Sequence, residues 1–443
     1  MKKGIILLAV LLVTTTNLWA QKTWTLEDCI NYAKEHNITL QKARLQSQSA
    51  KEDVKQSRAA LLPSLSASTN HSLGYRPWQD TGTTTVTNGQ VNAKVDKGYY
   101  NGSYGLNASW TVWNGNRNRN TLKQNKLSAE QAELEAEVTA NSIQEQIAQL
   151  YVQILYLTEA VKVSEQSLET SKKNEERGQE MLEVGKMSKA DVAQLSAQRA
   201  SDEYTIVEAR ANIAKYKLQL KQLLELDGSQ EFDVAITDVS DEQALADIPK
   251  LQTVYDLALY SRPEIKSSEL SVKNSELSIK MAKAGWMPTL NMTAGLGTST
   301  NSLSNNAWGS QLKTNFDASA GFTVSIPIFD QRQTKTSVNK ARIQRMQAQL
   351  DLQDRQKELY QTIEGYWLDA ETNQAKLRSA IATEESEQQS YNLLQEQFQL
   401  GLKNIVELMT GKDRLLTAQQ NRLQSKYQTV LAQQMLKFYS GKQ

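Results

Sequence analysis

The segment Ala59-Ala60-Leu61-Leu62-Pro63-Ser64-Leu65 returns as Ala284-Gly285-Trp286-Met287-Pro288-Thr289-Leu290, 225 positions later. Leu26, Ala33 and Leu40 fall on Leu251, Ala258 and Ile265 at the same offset. Further along the offset becomes 216, where Trp113-Asn114 lands on Phe329-Asp330, Val184-Gly185 on Leu400-Gly401 and Asp191-Val192 on Glu407-Leu408. A chain of 443 residues would otherwise suggest two or three unrelated domains. Self-similarity over most of the length makes it one duplicated unit instead. The change of offset is absorbed in residues 74–98 and 298–315, whose Gly, Ser, Thr and Asn content reads as loops that tolerate length change. The repeats then span residues 21–226 and 251–443, with a linker at 227–250.

Inside each repeat the hydrophobic period switches from helix to strand and back. Tyr100, Gly102, Tyr104, Leu106, Ala108, Trp110 and Val112 alternate with Asn101, Ser103, Gly105, Asn107, Ser109 and Thr111. The second repeat answers with Phe316, Ala318, Ala320, Phe322, Val324, Ile326 and Ile328 against Asp317, Ser319, Gly321, Thr323, Ser325 and Pro327. Shorter alternations set Leu65, Ala67, Leu73 and Tyr75 opposite Ser64, Ser66, Ser68, Asn70 and Ser72, and Leu290, Met292, Ala294 and Leu296 opposite Thr289, Asn291, Thr293 and Gly295. A period of two over about ten residues marks a strand with one apolar and one polar face. Strands are expected at about 64–75, 99–113, 289–298 and 316–328. The polar faces are small and almost all uncharged, which suits a watery lumen. Tyr99, Tyr100, Trp110, Trp113, Trp286, Phe316 and Phe329 gather near the strand ends, as membrane-interface aromatics do. Four strands cannot close a barrel, since the smallest single-chain barrels use about eight. Open sheet edges are not tolerated in lipid, so the pattern demands oligomerisation.

The remainder reads as helix of unusual length. Residues 116–182 hold one Gly (Gly178) and no Pro, and residues 330–400 hold one Gly (Gly365) and no Pro. At ~1.5 Å per residue either run extends about 100 Å. A heptad-like seam passes through Ile143, Ile147, Leu150, Ile154, Leu157, Val161, Ser164 and Leu168, and its counterpart through Leu359, Ile363, Tyr366, Ala370, Asn373, Leu377 and Ala380. Both fit side-by-side helix packing, and the Ala and Asn of the second favour a broad helix assembly over a tight two-stranded coil. A further helix follows each run, at 188–226 and 403–438, and Pro263 opens another in an N1-type position. The linker lacks clear periodicity and is expected to lie as a belt on the outside of the helices. The fold class is therefore mainly α with membrane β-barrel strands.

Composition removes most chemistry. Lys and Arg number 50 against 49 Asp and Glu, so there is no basic excess for a nucleic-acid partner. One Cys and two His, the latter in separate segments at His36 and His71, exclude a disulfide framework and leave almost nothing for a metal site. Gly295-Leu296-Gly297 lacks a third spaced Gly and sits in a strand, and no nucleophile elbow or phosphate loop appears. No cofactor and no catalytic residue are expected, and the chain does not read as an enzyme. At the N-terminus Lys2 and Lys3 precede an apolar run from Gly4 to Val13, and Ala20 follows. This reads as a secretory leader, residues 1–20, cleaved after Ala20. No Cys stands at that cut, so no lipid anchor is expected there.

Leader, duplication, paired strands and long helices turning at Val184-Gly185-Lys186 and Leu400-Gly401-Leu402, with Arg262-Pro263-Glu264-Ile265 leading to Pro288, together resemble the TolC-type outer-membrane factor family. The resemblance covers essentially all of the chain beyond the leader. It implies a homotrimer in the outer membrane lipid, in which four strands from each chain join one 12-stranded β-barrel over an α-helical periplasmic tunnel. It also implies a passive, gated exit duct for drug efflux or type I secretion. The partners would be a periplasmic adaptor docking at the two tips and an inner-membrane pump, proton-driven or ABC. In such proteins an acid after the first tip bonds to a base after the second and holds the tunnel shut; those positions are Asp191 and Lys403 here. A pore-facing acid corresponds to Glu407, whereas a second pore acid is replaced by Thr410 and a bonding Tyr by Phe398. The alternative is a non-transporting, periplasm-spanning strut anchored by a small barrel.

Overall fold

The computed structural model describes residues 23–79, 81–86, 89–94, 96–228, 231–236 and 239–441. The leader reading, residues 1–20, lies outside the described residues. The first repeat contains β1 (Thr23–Trp24), α1 (Leu26–His36), α2 (Ile38–Ala59), β2 (Ser64–Tyr75), β3 (Thr81–Val86), β4 (Gly89–Lys94), β5 (Gly98–Trp113), α3 (Arg117–Glu183) and α4 (Lys189–Leu223). The linker carries β6 (Asp233–Val234) and α5 (Asp241–Ala244). The second repeat follows with α6 (Leu251–Ser261), α7 (Pro263–Lys283), β7 (Thr289–Asn301), α8 (Trp308–Thr314), β8 (Asp317–Ser325), α9 (Gln333–Gln399) and α10 (Ile405–Tyr439). Contacts divide the chain into two units, one made of Arg44–Glu135 with Glu264–Arg355, the other of the remaining segments.

The first of these units holds a four-stranded antiparallel sheet in the order β2-β5-β7-β8. Its register aligns like with like. Ala67 faces Leu106, which faces Leu296, which faces Ala318; Trp110 faces Met292, which faces Phe322. Ser66, Asn107, Gly295 and Ser319 form one row of the opposite face. A slip of one residue would turn every side chain over, so this pairing is set by the period-two pattern itself. The apolar face is bare in the single chain, with Leu65 at 76% and Phe322 at 77% exposure. β2 and β8 each have a ladder partner on one side only among the described residues.

Two segments expected as loops are partly ordered. Residues 81–86 and 89–94 pair as β3 and β4, favoured by the β-branched Thr83, Thr84 and Thr85, polar by composition, and by Val86. Beyond the expected end of the strand, β7 runs on to Asn301 and α8 docks on it. Thr298 Oγ1 donates to the Leu312 carbonyl at 2.7 Å, and Gln311 Oε1 accepts from the Asn301 N–H at 2.7 Å. In the same unit α3 and α7 run antiparallel along a polar ladder. Gln131 Nε2 donates to Ser271 Oγ at 3.0 Å, Gln124 Nε2 to Ser278 Oγ at 3.1 Å, and Ser267 Oγ to Glu135 at 3.0 Å. Small serines let the two backbones approach while the amides span the gap.

The other unit holds the larger apolar core. Ile143, Ile147, Ile154 and Leu155 of α3 pack with Cys29, Ala33, Leu40, Leu220, Leu224, Val234 and Tyr427. The second seam is buried at Leu359, Ile363, Ala370, Asn373, Leu377 and Ala380. Tyr366 leaves that stripe and donates to the Glu145 carboxylate; burial, then Glu145 itself, pushes its hydroxyl pKa well up. The linker is pinned to α9 and α10 through its backbone. Gln374 and Gln433 donate to the carbonyls of Ala244 and Ala246, and Trp367 Nε1 to that of Pro249 at 3.1 Å. Arg422 ties Asp241 of α5 to Glu384 of α9. Arg262, buried ahead of Pro263, stacks over Phe438 and Tyr439 at 4.7 and 4.4 Å.

Candidate functional site

Both hairpin turns are built by the same local chemistry. Gly185 and Gly401 adopt φ of +74° and +75°, the left-handed conformation in which a Cβ is strained. Each closes a Schellman cap. The Gly185 and Lys186 N–H groups donate to the carbonyls of Leu182 and Met181 at 3.0 and 2.8 Å; those of Gly401 and Leu402 donate to Phe398 and Gln397 at 3.0 and 2.9 Å. The returning helix then starts on a capping box, Ser188 with Asp191 on α4 and Asn404 with Glu407 on α10. Val184, Leu400 and Leu402 stay exposed at the turns.

The two expected gate acids are therefore the N3 residues of their helices. Asp191 accepts from Ser188 Oγ at 2.8 Å. Lys403 donates to Glu407 at 2.6 Å. That bond first, and the Asn404 N–H second, hold the Glu407 carboxyl below its usual pKa. Within the single chain, then, Lys403 meets Glu407, while Asp191 is held by Ser188. Thr410 turns its hydroxyl onto the Val406 carbonyl at 2.7 Å. Phe398 is buried with Leu195, Tyr391, Ile405, Leu408 and Leu415, where a tyrosine hydroxyl would have needed a partner.

Above the turns the two hairpins are held by opposite means. Between α3 and α4, Glu175 accepts from Arg199 at 2.6 Å and from Ser196 at 2.5 Å, and Arg199 also pairs with Glu203 at 2.8 Å. At offset 216 the counterparts of Glu175 and Arg199 are Tyr391 and Leu415, both in the apolar cluster. Gly178 makes room for Leu195 between α3 and α4, and Gly411 makes room for Leu394 between α10 and α9. The equivalent positions have exchanged their sizes.

One polar node escaped sequence reasoning. Lys412 of α10 donates to Asp202 of α4 and to Ser171 of α3, and Ser171 Oγ donates to the same carboxylate at 2.6 Å. Gln198 Nε2 completes the carboxylate at 3.1 Å. Lys412 is 4% and Asp202 7% exposed. A signal was present, because Lys412 falls on the apolar stripe Ile405, Leu408, Leu415, and a charge on such a stripe requires a partner.

The aromatics of the sheet fall into two belts. Trp113, Trp286 and Phe329 flank the strand ends next to the helices, and Trp110 there donates to the Leu61 carbonyl at 2.9 Å. Tyr99, Tyr100 and Phe316 stand at the opposite ends, with the Arg76 guanidinium 4.3 Å over the Tyr99 ring. About ten residues at ~3.3 Å each separate the two groups along β5. Among the described residues no His, Cys, Asp and Glu group could hold a metal ion, and no helix is long and apolar enough to cross a membrane.

A sheet with a bare apolar face, a small-residue polar face and free edges, joined to paired 67-residue helices, defines the class of outer-membrane channels built from barrel and helical tunnel. The chain belongs to the Outer membrane efflux protein family, whose match covers residues 29–225 and 254–442, one copy in each repeat. It is 23% identical to the outer membrane efflux protein BepC of Brucella suis over 94% of this chain and 85% of that one. It is 22% identical to the alkaline protease secretion protein AprF of Pseudomonas aeruginosa, over 94% and 84% of the respective chains. The Campylobacter jejuni CmeC outer membrane channel superposes with a TM-score of 0.77 at 19% identity, covering 94% of this chain and 86% of that one.

Proposed function

We propose that the protein is the passive, gated exit duct of a tripartite efflux or type I secretion system, working as a homotrimer in the outer membrane. The observation that carries this reading is the sheet. Its apolar face matches lipid, its small polar face matches a water-filled lumen, and its two free edges need other copies to close. Three chains supply 12 strands from four each, and a barrel of that size keeps an aqueous bore. The periplasmic adaptor docks on the exposed turns at Val184-Gly185-Lys186 and Leu400-Gly401-Leu402, and the inner-membrane pump supplies the energy. Asp191, Lys403 and Glu407 form the constriction, with Lys403 able to exchange Glu407 for Asp191 of a neighbouring helix.

Protein purified in detergent should have the native mass of about three chains and conduct ions in planar bilayers. A stable monomer, or a trimer without conductance, overturns the reading, and the latter favours the strut. The roles in the names of BepC and AprF, efflux and protease secretion, are both compatible with this chain. Reconstitution with a proton-driven pump and with an ABC transporter, each with its adaptor, separates the two.

A further inference from the structure

We propose that the buried Asp202–Lys412 pair is a positioning clasp that fixes the second helical hairpin against the first and so sets the resting aperture at the turns; this rests on the conduit reading. Both charges are withdrawn from water and are bonded to each other, with Ser171 bonded to both and Gln198 to the carboxylate. Apolar side chains at these two places would fill the space without the desolvation cost. What the ion pair adds is direction. Only one register satisfies both charges, because a helix shifted past this point leaves each of them buried and unpaired.

Close to the turns the surroundings leave this role to the clasp. The first hairpin is tied to itself by Glu175 with Arg199 and by Glu165 with Arg210. The second is tied to itself by Tyr391, Phe398, Ile405, Leu408 and Leu415, and among the described residues Leu195 and Met187 are the apolar side chains of the first hairpin that join that cluster. Near the turns the bonds between the hairpins are those of Lys412 to Asp202 and Ser171, and a longer one from Gln198 to Asp413 at 3.4 Å; farther from the turns Lys426 meets Glu159 at 3.6 Å and Tyr366 and Tyr439 reach Glu145. Lys412 lies seven residues, about 10 Å at ~1.5 Å per residue, beyond the start of α10 at Ile405, so a displacement at the clasp is carried by a stiff helix to the turn. The device is one-sided. At offset 216 the counterparts of Lys412 and Asp202 are Ser196 and Ala418, which cannot form it.

The test uses the full-length trimer, with native mass checked for each variant and resting conductance read in planar bilayers. Lys412→Met, Asp202→Asn and the apolar double variant Asp202→Leu/Lys412→Met should raise resting conductance about threefold or more. The exchange Asp202→Lys/Lys412→Asp should return it to within about twofold of the parent, since the Ser171 hydroxyl and the Gln198 amide serve either charge. If the single variants do not assemble, the two double variants decide. An apolar double variant that assembles and conducts like the parent overturns the clasp, as does an exchange that stays open. A parent trimer that never conducts refutes the conduit reading instead. In that case protease cleavage at Lys186 and Lys403 judges the clasp, and cleavage unchanged in the apolar double variant overturns it.

Discussion

Asp191 and Glu407 start helices whatever else they do, and this separates their local role from any role in the pore. Ser188→Ala and Asn404→Ala should each cost about 1 kcal/mol of helix stability, seen as faster hydrogen exchange in the first turns of α4 and α10. Glu407→Gln keeps the capping box, which accepts glutamine at N3, and removes only the charge. It should therefore lower cation preference in reversal-potential measurements without raising resting conductance. The pH behaviour of two acids near the turns runs in opposite senses. Glu407 has its carboxyl held down by Lys403, so its contribution is complete above the ordinary carboxylate range and is lost only as pH falls below it. Asp413 has its carboxyl pushed up by burial, with Asp202 adding and Lys412 opposing. A raised acid binds its proton more tightly in the folded state, so stability declines as pH rises through its titration. Asp413→Asn should then raise the melting temperature more at about pH 7.5 than at about pH 4. Equal shifts at both would show that Asp413 is unstrained.

At the scale of elements, the sheet was the most legible part of the chain. Period-two alternation fixes both face and register, so the sequence alone puts Leu106 and Asn107 on opposite faces. Leu106→Lys should cost about 2–4 kcal/mol if it lies near the bilayer midplane, whereas Asn107→Lys should assemble normally and change ion selectivity. Denaturant titration of the folded barrel against conductance of the same preparations checks this pair. The turns were legible for a different reason, namely a glycine followed by a capping box, each a strong local signal. The α3–α7 ladder was not. Gln124, Gln131, Ser271 and Ser278 look like a solvated face until the partner helix is known. Lys412 was missed in the same way, since helical stripes are read from their apolar members. The β3–β4 pairing was missed because threonine is polar by composition and a strand former by shape.

For the whole molecule, Lys403→Glu removes the bond to Glu407 and sets like charges together at the proposed constriction, and should raise resting conductance and sensitivity to large antibiotics. Adding Asp191→Lys should bring both back towards the parent, and strictly additive effects would show the two residues to be uncoupled. Duplication creates another problem at this scale, that of telling two near-copies apart while the chain folds. The exchanged glycine and leucine positions solve it. If α3 paired with α10, Gly178 would meet Gly411 across an empty space; if α9 paired with α4, Leu394 would collide with Leu195. Each outgoing helix thus carries a shape that only its own return helix completes. Copies folding side by side can keep their hairpins from trading partners within a chain or between chains.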